Sequence, residues 1–228
     1  ANAQVNPTVR FQSAQPETDA PISKERERAR ALFTAITSVG ISIDDVRLKK
    51  MEILIKAGQE REAARIATTD PLFYDIQLSD LARRISTRDE SVTAPVSDFV
   101  ALFVGVARDG INAKELLTGN FYYMADPEKT KNVRNNAAVP QPIGNNVLTD
   151  ILTSNAHYLY IQNNNIALYE SLMKVDGQKI TGANDSIIAN PDPAGLLTTR
   201  AWAEAHAVAG TNRRLVEYTF RAFMCLPI

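Results

Sequence analysis

Apolar residues recur along most of this chain at intervals of three and four, the spacing that puts them on one side of a helix. In SKERERARALFTAITSVG the positions Ala29, Leu32, Phe33 and Ile36 keep that spacing, Ser23 offers an N-cap, and Gly40 offers a stop. A second helix is predicted from Ser42 or Asp44 to about Ala57, closed by Gly58, and a third over Glu60–Ala67. Asp70-Pro71 is an N-cap followed by proline at the first helical position, and predicts a fourth helix to about Ile85. The polar run Ser86–Pro95 breaks the pattern and reads as a loop or a joint between subdomains. From Val96 to Arg108 the apolar residues cover nearly the whole circumference, which predicts a helix at the centre of the domain.

Beyond Arg108 the pattern loosens. A short helix over AKELLTG leads to Phe121-Tyr122-Tyr123-Met124, an aromatic cluster without interleaved basic residues, which reads as core or an edge segment. Asp126–Asn146 is a long loop with three prolines and is a candidate lid or partner contact. Thr149 caps a helix to about Gln162 that carries His157. Asp176-Gly177 in KVDGQKITG predicts the turn of a hairpin. Two helices close the chain, one capped by Thr198 or Thr199 and one by Asn212. The fold predicted is mainly α: an irregular multi-helix domain over residues 21–228 with long loops and at most one small hairpin. Residues 1–20 precede it as an extended arm.

Charge adds little to this picture but removes several functions. With 25 Lys+Arg against 26 Asp+Glu, the chain has no long-range field to attract nucleic-acid phosphates. The longest apolar run, Phe99–Ala107, is far short of a membrane span. The start at Ala-Asn-Ala-Gln fits the mature end left by signal-peptide cleavage, so export to the periplasm or beyond is expected.

Candidate chemistry is sparse. None of Gly-x-x-x-x-Gly-Lys, Gly-x-Gly-x-x-Gly or Gly-x-Ser-x-Gly occurs, and one cysteine with two distant histidines cannot complete a zinc site. No nucleophile, base and orienting group can be assembled, so a non-catalytic role is expected. His157 and His206 remain as candidate haem axial ligands, with packed histidines the plainer reading. His206 lies one turn from Trp202, consistent with ring stacking. Cys225 lies on an apolar strip, either buried or paired with another segment or chain.

The stretches ARIATTDPLFYD, SDFVALFVGVARDGINAKELLTGNFYYM and AGLLTTRAWAEAHAVAGTNRRLVEYTFRAFMC carry a resemblance. In this order they are similar to the helical region of exported bacterial proteins associated with c-type cytochromes, the part preceding a Cys-x-x-Cys-His segment. The present sequence contains no such segment. The resemblance implies a helical module that packs against a c-type cytochrome segment or partner and shields or ligates its haem, with no haem bound covalently by this chain. The alternative expectation is a structural subunit of a filament, sheath or surface assembly, contacting copies of itself through its arm and its Asn-rich loop.

Overall fold

The computed structural model describes residues 22–130, 151–207 and 212–224, the last segment with side chains from Arg214 onward. The N-terminal arm, the loop beyond residue 130 and Cys225 lie outside the described residues. The fold is mainly α, with two small two-stranded antiparallel sheets. No helix among the described residues is long and apolar enough to cross a membrane.

Helix α1, Lys24–Thr37, starts where expected, because the Ser23 hydroxyl accepts from the Arg26 N–H at 3.2 Å. It stops before the predicted Gly40. Ser38 takes the left-handed conformation at φ 60° and its N–H returns to the Thr34 carbonyl. Helix α2, Val46–Lys56, is capped by Asp45, and α3 spans Glu60–Thr68. These three helices close a small core of their own from Ala29, Phe33, Ile41, Leu48, Met51, Ala63 and Ala67.

Asp70 caps the next segment, its carboxylate accepting from the Leu72 N–H at 2.8 Å. The predicted fourth helix then opens out. Phe73–Leu78 is a π-helical stretch running straight into α4, Ser79–Ser86. After a loop comes α5, Asp98–Arg108, with eight of its eleven residues buried. It is the centre of the second, larger core, which holds Phe99, Leu102, Tyr123, Tyr158, Ile161, Leu172, Leu196 and Trp202. The core therefore divides between α3 and the π-helical segment rather than at the polar run 86–95, since α4 and α5 contribute Ala82 and Phe99 to the same cluster.

Short elements wrap α5. They are α6 (Glu115–Thr118), β1 (Phe121–Ala125), α7 (Pro127–Thr130), α8 (Ala156–Asn163), α9 (Leu168–Ser171) and β2 (Leu172–Asp176). The aromatic cluster is the strand β1, and it pairs antiparallel with β2, Tyr123 opposite Lys174. Gly105 lets that strand lie on α5: a methyl group there would overlap the Tyr123 ring. The predicted hairpin at Asp176-Gly177 does not form. Gly177 does adopt φ 80°, but its N–H donates to the Asn120 carbonyl at 2.8 Å and the Gln178 N–H to Asn120 Oδ1 at 2.7 Å. Those bonds draw the chain to the end of β1, so the residues after the turn, β3 (Lys179–Thr181), pair instead with β4 (Ile187–Ala189). Helices α10 (Arg200–His206) and α11 (Asn212–Met224) follow.

Candidate functional site

The C-terminal helical pair is positioned by a buried carboxylate. Asp98, at the start of α5, accepts from its neighbour Phe99 N–H at 2.9 Å, from Arg200 N–H at 2.6 Å and from Ala201 N–H at 3.1 Å. Thr199 accepts from the Trp202 N–H at 3.4 Å, so both N-terminal turns meet at one anchor. Burial pushes the Asp98 carboxyl up, while the N–H donors and the Arg200 charge hold it down.

On this anchor α10 builds a column of rings. Phe99 stacks on Trp202 at 5.6 Å between centroids, Trp202 lies 4.1 Å from His206, and Tyr218 of α11 lies 4.3 Å from His206. His206 is fully buried, and neither ring nitrogen has a hydrogen-bond partner; Trp202 Nε1 has none either. Burial, with the Arg88 charge in support, lowers the His206 pKa to about 4, so the ring is neutral at physiological pH. The Ser86 backbone favours the charged form slightly, from a position short of hydrogen-bonding geometry. Arg88 itself donates from Nε to the Ala205 carbonyl.

His157 stands in a different setting. Its Nε2 accepts the Ala125 N–H at 3.0 Å, which ties α8 to the end of β1, and its ring meets Tyr158 edge-on. Tyr158 continues the tie by donating to the Tyr123 carbonyl at 2.8 Å. An axial haem ligand needs an imidazole nitrogen facing space that can admit a porphyrin edge. The Nε2 of His157 accepts from backbone, and the His206 ring has Trp202 and Tyr218 as aromatic neighbours. Among the described residues no group of three or more His, Cys, Asp or Glu side chains could hold a metal ion.

Two concave features lie beside α4. One is a groove of about 260 Å³ between α4 and α11, with Leu81, Ile85, Tyr218 and Ala222 as its apolar lining and Arg84 and Arg221 among its charged residues. The other is a cleft of about 300 Å³ between the π-helical segment with α4 and the end of α8 with the turn after it. Asp75, Ser79 and Arg83 face this cleft at intervals of four residues. Asp75 Oδ1 accepts from the Tyr169 N–H at 2.8 Å. Ser79 is fully buried and its hydroxyl has no hydrogen-bond partner; Arg83 Nε is likewise buried and unpartnered. Periodicity had no means of marking these three, because an i, i+4, i+8 polar row reads as the wet side of an amphipathic helix. The signal available was weaker: Ser79 sits among apolar neighbours in YDIQLSDLA.

Comparison of the chain with protein-family models, with curated proteins and with solved structures finds no match.

Proposed function

We propose that this chain is an exported, non-catalytic helical module that packs against a protein partner carrying a c-type haem, and that α11 is the contact element. The observation that carries the reading is the state of α11. From Arg214 to Met224 it has no fully buried side chain, although seven of those residues are apolar or aromatic. Leu215, Tyr218, Ala222 and Phe223 lie against the main core. Val216, Phe220 and Met224 form a second strip, spaced i, i+4, i+8, with Val216 49% and Met224 54% exposed. A surface helix ordinarily carries polar residues there, and an uncovered apolar strip marks a contact surface. The sequence resemblance supplies the nature of the partner. In that arrangement the chain shields the partner's haem from water with apolar cover or supplies a ligand to its iron.

The test is purification of the native complex, followed by its Soret absorbance and its mass by light scattering. Phe220→Asp and Val216→Asp should strip the partner and the Soret band together while the circular dichroism of the chain stays unchanged. A native complex without haem absorbance removes the cytochrome reading. A complex made only of copies of this chain, dissociated by the same substitutions, replaces it with the assembly-subunit reading.

A further inference from the structure

The cleft beside the π-helical segment carries an inference independent of α11. Several helical hydroxyls of this protein bond the carbonyl three or four residues back, among them Thr37 to Phe33 at 3.0 Å, Thr219 to Leu215 at 2.7 Å and Ser86 to Arg83 at 2.9 Å, whereas Ser171, like Ser79, is buried without a partner. Ser79 makes no such bond. It follows directly on the π-helical stretch Phe73–Leu78, where the wider turn changes the i−4 register, and such insertions recur at functional sites. One turn on, Arg83 gives Nη1 to Asp80 at 3.3 Å but leaves Nε buried and unused. An orphaned buried donor costs free energy, and both of these belong to residues that line one cleft.

The ligand chemistry follows from what each group can do. Arg83 can only donate and is charged, so its partner is an anionic acceptor; Ser79 can donate to the same group. Asp75, two turns from Arg83 on the same row, can only accept when ionised, and so calls for a donor on the ligand. Val96, Ile161, Ile166 and Leu168 give the cleft apolar walls, the usual make-up of a small-molecule site. A doubly charged phosphate would be repelled by Asp75 more strongly than a singly charged carboxylate.

We propose that this cleft binds a small amino or hydroxy carboxylic acid with a branched aliphatic side chain. Its carboxylate takes Ser79 Oγ and Arg83 Nε, its amine or hydroxyl takes Asp75, and its side chain lies against Ile161 and Ile166. Isothermal titration of the full chain with L-leucine, 2-hydroxyisovalerate, leucinol and inorganic phosphate tests it. At least one of the two acids should bind at millimolar concentration or below, and leucinol and phosphate should not. Ser79→Ala should weaken the acid about tenfold, the scale of one charge-assisted hydrogen bond, and Arg83→Gln by more. The melting temperature of the Ser79→Ala chain should hold or rise, since that hydroxyl has no bond within the protein to lose. The proposal is overturned if neither acid binds, if leucinol or phosphate binds as well as the acids, or if both substitutions leave binding unchanged.

Discussion

His206 makes this protein acid-sensitive in a window where few other groups act. Its imidazole titrates near 6.5 in the unfolded chain and near 4 in the fold. Between those values the unfolded chain binds more protons, so stability rises with pH there and falls as pH drops from 6.5 toward 4. At pH 5 nearly every unfolded chain is protonated at this ring and about a tenth of the folded ones are. The linkage relation then gives a loss of about 2 kcal/mol between pH 7 and pH 5. For a chain of this length that is a fall of roughly 4–8 °C in melting temperature. The groups around the ring are Trp202, Tyr218 and Arg88, with no carboxylate among the contacts described. Asp75 and Asp98, both pushed up by burial, act in the opposite sense, so the effect of His206 is isolated by subtraction. His206→Phe keeps a ring between Trp202 and Tyr218 and removes the titration. Urea unfolding followed by the fluorescence of the single tryptophan, itself buried in this column, reads both chains at pH 7 and pH 5. The His206→Phe chain should lose about 2 kcal/mol less than the parent over that interval. An equal loss in the two chains would refute the burial of an unpartnered neutral imidazole.

Three further outcomes follow from the packing. Gly105→Ala should destabilise by about 2 kcal/mol or more despite alanine's better helix propensity, because the added methyl overlaps the Tyr123 ring; urea midpoints measure it. Asp98→Ala should cost about 3 kcal/mol or more, since it leaves the N–H groups of Arg200 and Ala201 without their acceptor, and should release α10, seen as a red shift of Trp202 emission. Glu52, hydrogen-bonded by Ser23, Lys56 and Arg26, is held down to about 2, so its contribution is complete above pH 4.5 and disappears as pH falls toward 2; Glu52→Gln should flatten the acid limb of a pH–melting curve.

Helix starts are legible in this chain because a cap is a local bond. Ser23, Asp70 and Thr199 each accept an N–H two or three residues ahead, and each marks its segment correctly. The central place of α5 is legible for a related reason, since only an enclosed helix can be apolar on nearly every side. The strand pairing is not legible. β1 and β2 are joined across Tyr123 and Lys174, and the turn chemistry at Asp176-Gly177 is satisfied as well by a bend toward Asn120 as by a hairpin. The stop of α1 differs because Ser38 closes the helix by itself, before Gly40 is reached. The stacking of His206 on Trp202 follows from their one-turn spacing, whereas the Ala125 partner of His157 comes from another element and leaves no trace in local order. Ser79 and Arg83 escape for the same reason, because what singles them out is the missing partner.

The separate closure of α1–α3 has a consequence for how the molecule opens. Its core shares no buried residue with the cluster around α5, and the named side-chain links across the seam, Arg47 to Asp70 and Gln77 to Ser38, are polar and partly open to water. Such a seam yields at lower free energy than either interior, so the first three helices form a unit that can melt and re-form while the rest stays intact. Native-state amide exchange should therefore show two plateaus of protection, with Leu48 and Met51 on the lower and Val100 and Leu102 on the upper.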